Sequence, residues 1–429
     1  MSTILISLFL IGLVIGIPVA FTMGIAGSAA IIIGGQFPPI VIVQQLFKGI
    51  NSFPLMAVPF FILAAEIMTA SGMTRRLLDF ANDLVGHIRG GMGHVNVLVS
   101  MLFAGISGSA LADAAGPSAI VMRMMRRAGY DANYAGALSA ATATIGPIIP
   151  PSILMVIYAI SESRVTVAGL FLAGVVPGVL LGGALAAANH VISIRKGYRF
   201  RTERPPLGAL GRSFLHALPA IIMPLIIIGG ILGGVFTPTE ASAAAVGYAI
   251  LVGLFVTRSL PVPDLWQSFV RAGIITASVL LIVSMASVFA WLLTILQIPQ
   301  SLAAAIASLT DDPLTVLFLL AGFALLCGLV IDTLPALIIL VPVLAPIASH
   351  FGIDPLHFAM MLVLNLTIGM VTPPVGPVLF VISTVGRLKL EQLSRAILPL
   401  LLAELAVLVL VILFPQISTT VPRLLGFEN

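Results

Sequence analysis

The chain has 429 residues, of which 59% are hydrophobic and only 8% charged, with 20 Lys and Arg against 16 Asp and Glu. So few charges cannot cover a soluble globule of this size, and apolar runs of roughly 17 to 30 residues exceed the alternating strands of a β-barrel. The expected class is an all-α polytopic membrane protein that binds a lipid bilayer and no nucleic acid, its pI of 9.6 reflecting where the basic residues sit relative to the membrane.

In chain order, single spans are predicted at 4–33, 54–70, 133–160, 168–193, 217–235, 239–257, 269–297, 355–385 and 396–416. The first run, Ile4 to Ile33, has no basic n-region and no small-residue cleavage site, so it reads as a retained helix and not a signal peptide. Residues 73–89 mix Leu77, Leu78, Phe80, Leu84 and Val85 with charges and predict an interfacial amphipathic helix. The lone cysteine, Cys327, excludes an internal disulfide framework.

Two further apolar stretches, 92–125 and 313–349, carry polar, Gly- and Pro-bearing centres. Each is too long for one helix and short for two complete crossings of about 20 residues, which predicts re-entrant hairpins. With both read as hairpins and a cytoplasmic N-terminus, 17 of the 20 basic residues fall on the cytoplasmic face, leaving Lys48, Arg164 and Arg423 outside. The C-terminus is then periplasmic.

The second half echoes the first. An offset of 223 places Gly105 on Gly328, Gly129 on Gly352, Asp131 on Asp354, Thr144 on Thr367, Gly146 on Gly369 and Pro150-Pro151 on Pro373-Pro374. Upstream, Pro18 and Gly27 fall on Pro238 and Gly247 at an offset of 220. An odd number of intervening crossings makes the copies inverted, each with a hairpin and a broken transmembrane helix, a pattern of secondary transporters that bind at the bilayer midplane. The expected organisation is a first repeat at 1–193, a basic cytoplasmic linker at 194–216, a connecting helix at 217–235, a second repeat at 239–416 and a tail at 417–429.

Polar groups, glycines and paired prolines inside apolar sequence need a purpose in a bilayer. At a hairpin tip or a helix break, backbone groups lack intrahelical partners and can meet an ion or ligand. The first tip supplies Ser107, Gly108 and Ser109, with Asp113 one turn on; the second supplies Asp332 and Thr333. The breaks add Thr144 and Gly146, and Thr367, Gly369 and Thr372, upstream of the proline pairs. Hard oxygen ligands with few fixed charges suit Na⁺, and no His/Cys/carboxylate cluster has transition-metal spacing. The plain alternative for any one of these small residues is close helix packing. Asp113 is equally open to pairing or capping. Glu66, Glu240 and Glu404 are expected in interhelical or subunit contacts, and the six histidines at solvated span ends. No GxxxxGK[ST], GxSxG or HExxH motif on a span points to ATP use or to an enzyme.

The segments GLVIGIPVAFTMGIAG, GISGSALADAAGPSAI, TIGPIIPPSI, FTPTEASA and MVTPPVGPVLFV, in this order, resemble the large membrane subunit of a tripartite ATP-independent periplasmic (TRAP) transporter, over essentially the whole chain. The resemblance implies Na⁺-coupled import of an organic acid, such as a C4-dicarboxylate or sialic acid, by an elevator motion in a bacterial inner membrane. It implies two partners, a periplasmic substrate-binding protein and a small four-helix membrane subunit. No extra helical block precedes the first span, so that subunit is expected as a separate polypeptide. Carried onto this chain, one Na⁺ site would use Ser107, Gly108, Ser109, Thr144 and Gly146. The other would use Asp332, Thr333, Thr367, Gly369 and Thr372, and substrate would sit between the tips near Asp113, Pro150, Ser152 and Pro374. The alternatives are a stand-alone carboxylate or ion carrier of inverted-repeat design and a purely architectural membrane subunit.

Overall fold

A computed structural model describes residues 1–198 and 204–427; Arg199 and Arg201, expected in the basic linker, lie outside the described residues. Every regular element among the described residues is helical, and eight of these segments are long and apolar enough to cross a membrane.

The first predicted span is corrected. Residues 4–33 form two helices, α1 (Ser2–Ile15) and α2 (Val19–Gly34), separated at Gly16, Ile17 and Pro18. Gly16 takes a left-handed φ of 84° that closes α1, and Pro18 caps α2. The helices run antiparallel, because Gly12 lies against Thr22 and Gly34 against Met1. The chain therefore returns to the side on which it began.

Next come α3 (Ile40–Ile50), none of whose residues is buried, a 3₁₀ turn Phe53–Met56, α4 (Ala57–Ala70) and α5 (Met73–Val85). Helix α5 is amphipathic as expected, burying Met73, Leu77, Leu78 and Ala81. The first hairpin comprises α6 (Gly91–Ser107), the short α7 (Ala110–Ala115) and α8 (Pro117–Arg127), and the first broken helix comprises α9 (Ala132–Ala143) and α10 (Ile153–Ser161). After α11 (Val167–Lys196), α12 (Leu207–Leu232) begins ten residues before the predicted connecting helix. Helix structure thus takes both ends of the predicted 194–216 linker, since Arg195 and Lys196 favour the C-terminal end of α11 and Pro206 the start of α12.

The remaining elements are α13 (Pro238–Leu251), extended by a π turn Val252–Val256, α14 (Val262–Ile295), α15 (Ile298–Ala307), α16 (Pro313–Val330) and α17 (Thr333–His350). Then follow α18 (Pro355–Gly369), α19 (Pro377–Gly386), α20 (Leu390–Leu413) and α21 (Gln416–Leu424). By length and composition α16 and α17 could each cross a membrane; their depth is decided by where their tip lies.

Two packing groups emerge. Helices α2, α3 and α4 pack on α14, α13 packs on α4 and α12, and α12 packs on α5. In the other group α9 packs on α8 and α20, α18 on α16 and α17, α19 on α7, and α11 on α20 and α6. Helix α21, inside the predicted C-terminal tail, closes over α11 and α18 and buries Ser418, Thr419 and Pro422. The groups meet chiefly through α14 and α15 on α17, and α5 on α6.

Candidate functional site

The connection between α6 and α7 is two residues long. Gly108 closes α6 with φ +58°, and Ser109 caps α7 by accepting from the Ala112 amide at 3.4 Å. A Cβ on Gly108 would lie 3.1 Å from the Ile153 nitrogen and 3.2 Å from the Pro151 carbonyl, so only glycine lets this tip rest on the first break. Ser107, 7% exposed, donates from its hydroxyl to Asp113 Oδ1 at 2.5 Å.

Asp113 is 1% exposed and its Oδ2 has no hydrogen-bond partner. A Cβ built on Gly146 would stand 2.6 Å from that oxygen. Asp113, expected near substrate, is thus gathered with Ser107 and Gly146 under the tip. Thr144 is turned elsewhere: its hydroxyl hydrogen-bonds the Ala141 carbonyl at 2.6 Å and Glu404 Oε1 at 2.9 Å. Glu404, on α20, is fully buried with its second oxygen unpartnered. Its predicted interhelical role is observed.

At the second tip Asp332 caps α17, its Oδ1 accepting from the Thr333 amide at 2.9 Å. Gly369 meets the backbone of Gly328, which a Cβ would approach to 2.8 Å. The Thr367 hydroxyl donates to Val363 and Leu364 carbonyls, and that of Thr372 to Ile368 at 2.8 Å.

Both tips face one cleft of about 660 Å³, lined by Ser107, Gly108 and Ser109 from the first and Asp332, Thr333 and Leu334 from the second. The breaks contribute Pro147 and Met370, and the opposite wall is α4 and α14. Pro150, Ser152 and Pro374 do not line the cleft. Pro150 and Ser152 are buried beneath the first tip, where the Ser152 hydroxyl donates to the Pro147 carbonyl at 2.6 Å and accepts from the Met155 amide at 3.4 Å to cap α10. Pro374 is exposed. Both proline pairs are joined by cis peptides.

The sequence reading missed Glu66 and Arg271, which line the cleft from α4 and α14. Glu66 was legible as a carboxylate inside an apolar run. Glu240, expected in an interhelical or subunit contact, forms an exposed capping box with Thr237 at the start of its own helix. His357, expected to be solvated, is 2% exposed with Nδ1 3.1 Å from Ser418 Oγ. No group of three or more metal-ligating His, Cys, Asp or Glu side chains occurs among the described residues.

The profile of the Tripartite ATP-independent periplasmic transporter, DctM component, matches residues 6–417. The chain belongs to the DctM family. It is 41% identical to the sialic acid TRAP transporter large permease protein SiaM of Vibrio cholerae, over 96% of each chain. It is 38% identical to the C4-dicarboxylate TRAP transporter large permease protein DctM of Pseudomonas aeruginosa, over 95% of each. Against the sialic acid TRAP transporter permease protein SiaT of Haemophilus influenzae the identity is 40%, over 97% of this DctM-family chain and 67% of that protein. Among solved structures, the YdaH transporter of Alcanivorax borkumensis superposes with a TM-score of 0.61 at 16% identity, covering 87% of this chain and 88% of that one; this likeness concerns the fold alone.

Proposed function

We propose that the chain is the large membrane component of a Na⁺-coupled importer of an organic acid, delivered by a periplasmic binding protein and moved by an elevator mechanism in a bacterial inner membrane. One observation carries this reading: the two hairpin tips and both helix breaks converge on a single cleft walled by a separately packed group of helices. Tips and breaks supply ion ligands at the membrane midplane, and the division into two packing groups supplies a moving unit and a scaffold.

Element spacing supports inverted repeats. Helices α9 and α18 begin 223 residues apart, as do α11 and α20. Splitting 4–33 into α1 and α2 sharpens the match, because α2 corresponds to α13 and α1 to the end of α12, leaving no unpaired connecting helix. The same split changes the topology. With the basic segments cytoplasmic, α4 descends from the outer face, so Gly34 and, across the hairpin, the N-terminus lie outside. The cleft reaches Thr69 and Arg271, toward the cytoplasmic ends of α4 and α14, which supports an inward-facing conformation.

Na⁺ fits the first site: an unpartnered, buried carboxylate oxygen of Asp113 stands beside the Ser107 hydroxyl and the Gly146 backbone. Asp113 replaces Thr144 in this set. The second site rests on Asp332 and Thr333 with carbonyls near Gly369. A small membrane subunit is the further partner; the third of SiaT outside the match leaves room for such a component. The test is uptake of radiolabelled sialic acid and succinate into proteoliposomes. Uptake should require the binding protein and an inward Na⁺ gradient; Na⁺-independent uptake, or uptake without the binding protein, would overturn the reading.

A further inference from the structure

We propose that Arg271 is the side chain that receives a carboxylate of the transported acid on the cytoplasmic side of the tips, with Glu66 as its standing competitor. This rests on the function proposed above and adds a recognition residue on the scaffold, outside the hairpins.

Among the described residues, three charged side chains line the cleft: Glu66, Arg271 and Asp332. Asp332 is engaged at its own tip, and an organic anion entering a cleft with two carboxylates needs a positive partner. Apart from the coupling ions, Arg271 is the cation lining this cleft. Its guanidinium is exposed and makes one long hydrogen bond, Nη2 to Gln267 Oε1 at 3.4 Å, leaving most of its donor fork open. A planar fork of this kind matches a carboxylate bidentately.

Glu66 faces the same guanidinium from α4. The two are in electrostatic range, yet among the described residues no ion pair joins them, and no acid lies within salt-bridge distance of Arg271. Arg271 also shares one face of α14 with Ile275 and Val279, which line the cleft with it at one-turn intervals. An arginine serving only to orient the helix has no need to stand on the cleft-lining stripe. Across the cleft the first hairpin offers small and apolar groups, Ala112, Ala115, Gly116 and Pro117. They leave room for an anion and present no charge of their own.

The geometry gives opposite signs for two substitutions. Arg271→Gln removes the cation and should raise KM for the transported acid by roughly 10-fold or more, with a smaller effect on kcat. Glu66→Gln removes the competitor and should lower KM by roughly 2- to 5-fold. Arg271→Lys keeps charge without the fork and should fall between wild type and Arg271→Gln.

The experiment uses the full complex with its binding protein in proteoliposomes, sialic acid and succinate as probes, and Arg212→Gln as a control on the same face, away from the cleft. A wild-type complex that shows no Na⁺-driven uptake of either probe overturns the parent reading and this one with it. A working wild type in which Arg271→Gln leaves KM unchanged, or in which both substitutions shift KM in the same direction, overturns this proposal alone. Loss of all uptake in Arg271→Gln with wild-type thermal stability is decided by equilibrium probe binding to the purified variant: binding weakened at least 10-fold supports the proposal, and unchanged binding overturns it.

Discussion

The Ser107 hydroxyl and the Asp113 carboxylate are joined by a 2.5 Å hydrogen bond that folds the first tip back onto α7. It is the single partner of a carboxylate that is otherwise sealed from water. Removing it with Ser107→Ala leaves both Asp113 oxygens unpaired, which costs about 1–3 kcal/mol. Under the ion-site proposal, the variant should lose most Na⁺-driven uptake, and Asp113→Asn should lose the rise in thermal midpoint that Na⁺ gives the purified wild type. A Na⁺-induced rise that survives in Asp113→Asn would remove Asp113 from the site.

Two glycines leave no room for a side chain, Gly146 against the buried Asp113 carboxylate and Gly369 against the Gly328 backbone. Gly146→Ala drives a methyl to 2.6 Å from Asp113 Oδ2, and Gly369→Ala drives one to 2.8 Å from Gly328. Overpacking of this kind costs about 1–3 kcal/mol, and both variants should melt lower than wild type. Gly183→Ala and Gly247→Ala, where a Cβ meets nothing within 4 Å, should melt as wild type or slightly above it. Differential scanning fluorimetry of the four variants checks the ordering.

Among the described residues, the buried Glu404 has no basic partner and is held by the Thr144 hydroxyl. Glu404→Gln keeps an acceptor for the Thr144 hydroxyl and removes any charge, so thermal stability should be unchanged or improved. Glu404→Leu removes the cross-helix hydrogen bond while the Thr144 hydroxyl keeps the Ala141 carbonyl, and should lower stability by about 0.5–1.5 kcal/mol. Equal melting of the two variants would mean that the hydrogen bond contributes nothing.

Outside the membrane, the loop after α10 is pinned by Arg164. It donates to Glu162 from Nε and Nη2, to the Ala345 carbonyl at 3.3 Å, and to Ser349 at the end of α17. The hydrogen bond from Arg164 holds the Glu162 carboxyl below its ordinary range. A group lowered in the folded state contributes stability that is full above its unfolded pKa, about 4.3 for glutamate, and fades as pH falls through the lowered value. The thermal midpoint of wild type should exceed that of Glu162→Gln at pH 7, and the gap should shrink as pH falls below the usual glutamate range. A gap that is constant with pH would rule out the ionic contribution.

Placement of the N-terminus is tested by side-specific labelling in a Cys327→Ser background. Ser2→Cys and Lys48→Cys should react with an impermeant maleimide from the outer face, and Arg76→Cys only after the membrane is opened. Labelling of Ser2→Cys and Arg76→Cys from the same side would restore a single span at 4–33.

Much of this arrangement was written in the sequence. Gly, Pro and hydroxyl residues inside apolar runs are expensive in lipid, so Ser107–Ser109, Asp332 and the proline pairs mark helix–turn–helix tips and helix breaks in the sequence itself. The α1–α2 turn was hidden because Gly16, Ile17 and Pro18 carry no polar side chain, and hydropathy alone runs straight through them. The place of Arg271 and Glu66 on a cleft wall was hidden for another reason. Counting charges along a chain assigns a side of the membrane to each, but a cavity wall exists only once α4 and α14 stand opposite the tips. The opposite errors at Glu240 and His357 came from composition: an isolated glutamate reads the same whether it caps its own helix or bridges two.

The two breaks differ in how firmly they are held. The first is enclosed, with Gly174 and Gly178 of α11 pressed against Ile148 and Ile149 and Thr144 tied to Glu404, whereas Pro374 and Val375 of the second are exposed. Under the elevator proposal, the first break would behave as a rivet and the second as an expansion joint. Changes of shape near the proposed ion sites would then be taken up on the α18–α19 side, while the α9–α10 side would keep its form.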